Sequence, residues 1–337
     1  MVAQVDREFR QQVGPAGLWR RYLAYGLFEG RPATTRGQWI NPLVQLNYRF
    51  ASLIASMRTG ASPPVLILGT GRSGTTVLGM VLGAHPDVGF LNEPKALWSY
   101  AYPDEDLIGS YSRARGRYLL GAQDASAATR RRVSATYDWY KALTGCKVVV
   151  DKYPEILFRT GWVRAMWPDA RFILILREGT QTAVSVDRWV QQHGRRHAGV
   201  QEDWWGVDDR KWKLIVQQLV PRSLLLHDAA VDYASLDHFG RAIVEWICSV
   251  EHASREVLPT LDERTMIVVK YEEMARNPIR VFGTLCRFLG LEPNRNWLDY
   301  AAHRMRPDAP YQGPSVPAAL TGPYAGASEM YRSMRSE

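Results

Sequence analysis

Cysteine is scarce in this sequence, with three among 337 residues. Cys146, Cys248 and Cys286 are far apart, and no two of them have the CxxC spacing. Neither a disulfide framework nor a zinc site is therefore expected, and a reducing compartment fits. Long hydrophobic runs are also lacking, since none approaches the ~18 residues that a membrane-spanning helix needs. Residues 1–10 are polar and contain no apolar core of a signal peptide, so the sequence predicts a cytoplasmic protein.

Acidic residues are outnumbered, with 34 Asp and Glu against 42 Lys and Arg and a net charge of +8. This balance favours an anionic partner such as a polyphosphate nucleotide, nucleic acid, a membrane surface or an acidic substrate. A solvated basic surface without a role is the alternative. Because the basic residues are spread along the chain and no nucleic-acid-binding motif occurs, no nucleic-acid partner is predicted.

What the sequence does contain is a glycine-rich turn between a strand and a helix. The apolar run 65–68 leads into the sequence GTGRSGTT at 69–76, and residues 77–82 continue with helical spacing. Glycine in such a turn lets backbone N–H groups approach an anion, and the helix N-terminus adds a favourable dipole. The sequence therefore predicts a phosphate site, and its candidate ligands are Gly71, Arg72, Ser73, Gly74, Thr75 and Thr76.

The loop differs from the nucleotide-hydrolase pattern GxxxxGK[ST] at one decisive position. Thr75 stands where that pattern has lysine, and the cation is Arg72 inside the loop. A metal-binding carboxylate at a strand end is also hard to find, because Asp151 is the sole candidate and Lys152 follows it. The Mg-nucleotide version of the loop therefore fits poorly, although a small-molecule kinase remains an alternative.

Short apolar runs alternate with helical segments over residues 63–292. The runs at 64–68, 88–91, 147–150, 171–176 and 266–269 predict strands. Strands that alternate with helices predict a P-loop-like, three-layer α/β/α domain with a central parallel sheet. Residues 1–62 are predicted to form a helical extension packed on this core. Residues 293–337 are predicted to form a tail that covers the active-site side and lies on the surface, and 194–234 is expected to be irregular.

The N-terminal extension carries large apolar residues at helical spacing. They include Trp19, Tyr22 and, in a helix predicted over 39–57, Leu43, Leu46, Phe50, Leu53, Ile54 and Met57. Such stripes usually pack into a core, and this is the favoured interpretation. The alternative is a peripheral contact with a membrane or a lipid acceptor. A Gly-Pro-rich break at 60–64 separates the extension from the first strand.

Ligands of a parallel sheet bind at the carboxyl ends of its strands, and Arg72, Lys152 and Arg177 each follow such an end. The helix after the glycine loop carries the chain roughly 16 Å away, at ~1.5 Å per residue. The next strand returns it by a similar distance, at ~3.3 Å per residue. Glu93 is therefore expected at the level of the loop and His85 at the far end, which makes Glu93 the better candidate for a general base.

Three segments together resemble the sulfotransferases that use 3′-phosphoadenosine 5′-phosphosulfate (PAPS). The loop 69–76 resembles their 5′-phosphosulfate-binding loop, in which Arg or Lys precedes Ser-Gly-Thr-Thr. The segment 171–185 resembles their 3′-phosphate-binding segment, with its Arg-x7-Ser spacing from Arg177 to Ser185. Residues 268–274 and 277–291 look like the family's final strand and helix. The arginine in the loop, the turn 84–88 and Glu93 look most like the tyrosylprotein and bacterial branch.

This resemblance implies in-line transfer of a sulfuryl group from PAPS to an acceptor hydroxyl, without a metal. In that branch the carboxylate at the Glu93 position is the catalytic base, and the lysine at the Lys152 position assists the transfer. Arg72 is expected to offset charge that builds on the transferred group. Arg177 and Ser185 are expected to hold the 3′-phosphate. A glycan, a lipid or a secondary metabolite would be a suitable acceptor.

The sequence departs from the family after residue 292, because the glycine-rich, Arg-Lys-containing segment of the cytosolic enzymes is missing. His303, Arg304 and Arg306 are candidate substitutes. Trp189 and Tyr233 are candidates for stacking on adenine, and core packing is the alternative for both. Besides the kinase, a non-catalytic homologue that binds an anionic ligand is a second alternative. It would show salt-sensitive polyanion binding without a saturable nucleotide effect.

Overall fold

The computed structural model describes residues 3–55, 63–197 and 200–335. The strands in these ranges are β1 (Val65–Gly69), β2 (Val88–Asn92), β3 (Val148–Lys152), β4 (Arg171–Leu176), β5 (Arg195–His197), β6 (Val200–Asp203), β7 (Gly206–Val207) and β8 (Met266–Lys270). Five of them form a central parallel sheet in the order β2-β3-β1-β4-β8. The other three form a small antiparallel sheet in the order β5-β6-β7.

The α-helices of the described residues are α1 (Arg7–Leu23), α2 (Asn41–Ala55), α3 (Thr75–Gly83), α4 (Lys95–Ala101), α5 (Ala127–Thr144), α6 (Thr160–Met166), α7 (Gly179–His193), α8 (Arg210–Leu214), α9 (His238–His252), α10 (Tyr271–Arg276), α11 (Pro278–Leu289), α12 (Arg295–Arg304) and α13 (Thr321–Ser333). Several begin where a polar side chain accepts a hydrogen bond from a first-turn N–H, which stabilises a helix start. These N-cap residues are Asp6, Ser126, Asp237 and Asn294.

The central sheet is covered by helices on both faces. Along β1, Leu66 and Leu68 belong to one buried cluster, whereas Val65 and Ile67 belong to the other. β4 alternates in the same way, because successive side chains of a strand point to opposite faces. The predicted three-layer α/β/α fold is therefore confirmed, and its apolar strands read as continuous runs because both faces are buried.

The N-terminal extension packs against the core with only one side of α2. Val44, Tyr48 and Ala51 are buried, and the Tyr48 hydroxyl donates to the carbonyl oxygen of Phe28 at 2.7 Å. The opposite side leaves large side chains in solvent, so the favoured prediction of a core stripe is wrong for them. These residues are Leu43, Leu46, Phe50 and Leu53, and Trp39 just before α2 and Trp19 and Tyr22 of α1 are exposed as well. Met57 and residues 60–62 of the predicted break lie outside the described residues.

Two segments contain regular structure that the sequence analysis did not predict. The region 194–234 includes the small antiparallel sheet and α8. The tail beyond 303 includes α13, which buries Ala327 and Tyr331 and packs against α9. This helix was not predicted because the tail is rich in proline and glycine and because only one face of the helix is apolar.

Candidate functional site

The glycine loop lies at the carboxyl end of β1, in the middle of the sheet. Gly69 and Gly74 have φ of 144° and 94°, a backbone region that disfavours side chains. A Cβ on Gly74 would lie 2.4 Å from the Tyr271 ring, and one on Gly71 would lie 2.3 Å from the Trp204 ring. The Ser73 hydroxyl braces the turn by donating to the Thr70 carbonyl oxygen at 2.6 Å. Two aromatic rings thus press the loop closely enough to require glycine.

Glu93 and Lys152 meet beside the start of α3. The Glu93 N–H donates to the Lys152 carbonyl oxygen at 2.8 Å, which continues the pairing of β2 with β3. The Lys152 Nζ forms an ion pair with the Glu93 carboxylate and donates to the Thr76 hydroxyl at 3.1 Å. The structure therefore places Glu93 at the level of the loop, whereas His85 lies at the other end of α3, with Nε2 3.2 Å from the Glu292 carbonyl oxygen.

Arg72 and Glu93 both have left-handed backbone, with φ of 68° and 52°. Few non-glycine residues in the described ranges share this conformation: Ala3, Gln4, Asp208 and Asp209. Such backbone is uncommon for residues with a Cβ and tends to cluster at functional sites. Two of the three residues predicted to be catalytic have it.

Glu93 belongs to a chain of alternating charges along the wall of the site. The Lys95 Nζ lies 3.3 Å from a Glu93 carboxylate oxygen and 3.1 Å from one of Glu155. Lys211 continues the chain, 3.4 Å from Glu155 and 2.7 Å from Glu245. In order, the chain is Lys152–Glu93–Lys95–Glu155–Lys211–Glu245. Its members come from α4, α8, α9 and the strand ends, so tertiary packing assembles it.

These contacts shift the pKa values of the acidic groups. Partial burial raises the pKa of Glu93, but the charges of Lys152 and Lys95 lower it more, and the result lies far below the usual value. Burial likewise raises the pKa of Glu155, while Lys95 and Lys211 lower it to about 2. Burial lowers the pKa of Lys95, but Glu155 and Glu93 raise it above its usual range. All three groups are charged at neutral pH.

Arg177 follows β4 and lies next to the loop. Its Nε donates to the Asp308 carboxylate at 2.8 Å, a second nitrogen pairs with the same carboxylate, and the third donates to the Arg72 carbonyl oxygen at 3.3 Å. The guanidinium also lies 4.6 Å from the centre of the Tyr271 ring. Ser185 does not contact it; the Ser185 hydroxyl accepts from Arg72 Nε at 3.2 Å. The structure brings Arg72, Arg177 and Ser185 together, but Arg177 is already occupied by Asp308.

A cavity of about 840 Å³ opens beside these groups. One wall carries the glycine loop, Glu93, Lys152, Arg177 and Ser185. The N-terminal extension also lines the cavity, through Tyr25, Glu29–Pro32, Thr34 and Thr35. The extension is thus part of the cavity as well as a cover on the core.

The structure adds residues that the sequence analysis missed, chiefly Lys95, Trp204, Lys211 and Asp308. Lys95 lies only two positions after Glu93 at the start of a helix, and this proximity was the one signal available for it. Trp204 lies against the loop and donates to Glu245 at 3.1 Å. Lys211 and Asp308 come from segments without a motif, so no sequence signal pointed to them.

Asp151 does not face the site. Its carboxylate is buried and accepts from the Trp98 indole at 2.9 Å and from the Tyr137 hydroxyl. Because side chains of a strand alternate, Asp151 points into the core while Lys152 points to the cavity. The position considered for a metal-binding carboxylate therefore gives the kinase alternative no support.

Of the remaining candidate residues, some line the cavity and others do not. Trp189 lines the cavity and is stacked on His193 with ring centres 5.0 Å apart, whereas Tyr233 packs near Trp212. Arg304 also reaches the cavity, but it is paired with Asp6 at 2.6 Å and Glu8 at 2.9 Å. His303 lies 3.4 Å from Glu8, and the Arg306 carbonyl oxygen accepts from Tyr271.

Comparison with known proteins agrees with the motifs. The sequence model of the sulfotransferase family matches residues 63–223. The nodulation protein NoeE of Sinorhizobium fredii (strain NBRC 101917 / NGR234) is 31% identical over 138 residues, which are 39% of this chain and 33% of that protein. The chain thus spans about a third of the length of that relative.

Solved structures with a similar chain course include two sulfotransferases. The sulfotransferase domain of the Synechococcus PCC 7002 olefin synthase has 16% identity and a TM-score of 0.49, over 82% of this chain and 97% of that one. Sulfotransferase STF9 from Mycobacterium avium has 13% identity and a TM-score of 0.48, over 99% of this chain and 93% of that one. The sulfotransferase family model covers the segment that contains the glycine loop, Glu93, Lys152 and Arg177, so the resemblance seen in the motifs is confirmed.

Proposed function

We propose that this protein transfers a sulfuryl group from PAPS to an acceptor hydroxyl, and that it does so in the cytoplasm. The observation that carries the proposal is the convergence of Arg72, Glu93 and Lys152 at one end of the sheet, beside Arg177. Three cations lie around the glycine loop there, and the Glu93 carboxylate is paired with one of them, Lys152. This set suits an anionic donor and an acceptor that must lose a proton.

The residues present fit a donor with two phosphate positions. Gly71 and Gly74 let the loop backbone pass close to the Trp204 and Tyr271 rings, and the buried Thr70 hydroxyl oxygen has no partner in the described residues. Backbone N–H groups of 70–76, with Thr75 and Thr76, would hold the 5′-phosphosulfate at the N-terminus of α3. Arg177 and Ser185 would hold the 3′-phosphate, which ATP lacks. When bound, PAPS supplies the sulfuryl group for an in-line transfer.

The chain's own residues have distinct tasks in this proposal. The Glu93 carboxylate accepts the proton of the acceptor hydroxyl, and the two lysines beside it keep the carboxylate ionised until then. Lys152, which already bonds Thr76, carries positive charge to the point where the transferred group passes. Arg72 offsets the negative charge that develops on the leaving side.

The acceptor would bind beside residues 29–35 and Tyr111, because they line the same cavity as the glycine loop. A glycan, a lipid or a secondary metabolite with a free hydroxyl is the proposed class. Contact of the extension with a membrane surface is part of the proposal, since α2 leaves large apolar side chains in solvent. No metal is assigned a role.

The direct test is incubation of the protein with labelled PAPS and a cell extract, followed by mass spectrometry for a product heavier by one sulfate. Binding of 3′-phosphoadenosine 5′-phosphate should raise the melting temperature, and ATP with Mg²⁺ should raise it much less. The reverse order of stabilisation would favour the kinase. Salt-sensitive polyanion binding without either effect would favour the non-catalytic homologue.

Substitutions at three residues test their separate roles. Arg72→Ala and Glu93→Ala should each lower turnover by ~10²-fold or more, as loss of a charge stabiliser or a general base does. Arg177→Ala should mainly weaken nucleotide binding. Glu93→Gln is the matched control for Glu93→Ala, because it keeps the shape and removes the base. Near-full turnover in Glu93→Gln would exclude Glu93 as the base.

A further inference from the structure

The exposed side of α2 is unusual for a surface helix. Trp39, Leu43, Leu46 and Phe50 are 77%, 51%, 62% and 48% exposed and follow one another at spacings of four, three and four residues. Leu43, Leu46 and Phe50 therefore lie along one side of α2, and Trp39 lies in the short 3-10 helix 38–40 that leads into it. We call these four residues the α2 stripe. A contiguous apolar patch of this kind marks an interaction surface more often than ordinary solvent-facing sequence.

The charge around the stripe is positive. No Asp or Glu occurs between positions 30 and 86, whereas Arg36 and Arg49 are exposed near the stripe. A helix of this type, with Trp, Phe and Leu on one side and arginine at its border, is suited to the interface of an anionic bilayer.

A second copy of the chain is a poorer match for the stripe. Paired helices set partner and register with opposite charges at the positions that flank the apolar seam. The flanking positions here are Pro42, Asn47 and Arg49, and none of them is acidic, so a second copy would offer no opposite charge to Arg49. An anionic surface has no such conflict.

The stripe also begins next to the cavity. The loop 31–35, which lines the cavity, joins α2 through Asn41, whose side chain accepts from the Arg31 N–H at 2.7 Å. Trp39 therefore lies a few residues from the cavity wall. We infer that the α2 stripe docks the protein on a membrane surface containing anionic lipids. This inference does not depend on the donor, since it rests on the extension alone.

Vesicle flotation without any nucleotide tests the inference separately from the proposed transfer. The wild-type protein should float with vesicles of phosphatidylglycerol and phosphatidylcholine, and less with phosphatidylcholine alone. Leu43→Asp with Leu46→Asp should lower the bound fraction by about ten-fold or more, because both apolar side chains leave the interface. Arg49→Glu should remove the preference for anionic vesicles and its salt sensitivity.

The matched control is Leu224→Asp, which changes an equally exposed leucine (55%) on another segment and should leave flotation unchanged. Melting temperatures of all variants should match the wild type, since the replaced side chains lie in solvent. Wild-type protein that does not float, or a double variant that floats as well as the wild type, would overturn the inference. A dimer seen by light scattering, lost in the double variant and accompanied by no vesicle binding, would assign the stripe to self-association instead.

Discussion

The ion pair between Arg177 and Asp308 should oppose nucleotide binding. All three guanidinium nitrogens of Arg177 have partners within the protein, and two of them are held by one carboxylate. A 3′-phosphate can bind Arg177 only if it displaces the Asp308 carboxylate or binds beside that negative charge. Asp308→Asn removes the charge and keeps the shape, so it should strengthen the binding of 3′-phosphoadenosine 5′-phosphate.

The size of the effect follows from the environment of the pair. The two side chains are 14% and 19% exposed, so the pair lies between a surface ion pair and a buried one. A partly buried, bidentate pair is worth about 1–2 kcal/mol. With tenfold for each 1.4 kcal/mol, Asp308→Asn should lower Kd by about 5- to 30-fold.

Isothermal titration calorimetry with 3′-phosphoadenosine 5′-phosphate measures this directly. Asp169→Asn is the matched control, because it makes the same charge change just before β4, at the amino ends of the strands and away from the site. If Asp308 acts through Arg177, the double variant Arg177→Ala/Asp308→Asn should bind like Arg177→Ala alone. Weaker binding in Asp308→Asn would refute the reasoning, since Asp308 would then orient Arg177 for the nucleotide.

Three further predictions follow from the charged groups. Lys95→Met removes one of the cations that lower the pKa of Glu93, so the acidic limb of the pH–rate profile should move to higher pH; an unchanged limb would contradict this. Burial raises the pKa of Asp151 to about 7, against ~3.9 in the unfolded chain, so the native state loses stability as pH rises between these values. Near pH 8 the free energy of unfolding of Asp151→Asn, measured with urea, should therefore exceed that of the wild type by on the order of a few kcal/mol. This gain should vanish near pH 4. Arg159→Leu leaves the fully buried Glu105 without its ion-pair partner and should lower the free energy of unfolding in urea by roughly 3–5 kcal/mol. Adding Glu105→Gln should restore part of this loss, and a loss below about 1 kcal/mol would count against the prediction.

The sequence was sufficient to predict those parts of the site that depend on residues close together in the chain. Glu93 was placed correctly because α3 and β2 carry the chain out and back over similar lengths. The glycine loop was recognisable because its backbone demands particular residues at fixed spacing. Both features depend on fewer than thirty consecutive residues.

Features that depend on packing were beyond the sequence. Lys211 and Glu245 complete the charge chain from two distant helices, and nothing in either segment indicates the other. The periodicity of α2 revealed a stripe but not which side the core would cover, and Val44 and Tyr48 proved to be the buried side. Asp308 lies in a segment without repeating pattern, and its position is set by Arg177 and Tyr271.

The pairing of Arg304 with Asp6 and Glu8 joins the end of α12 to the start of α1, across 298 residues in the case of Asp6. During synthesis, Asp6 and Glu8 emerge almost 300 residues before Arg304 does. Contacts of such long sequence separation form late, because the intervening chain must be ordered first. Asp6 and Glu8 at the start of α1 therefore lack this ion pair until most of the intervening chain has folded. A truncated product that ends before Arg304 would also lack α13 and would expose the side of α9 that α13 covers, so it should be a preferred client of chaperones.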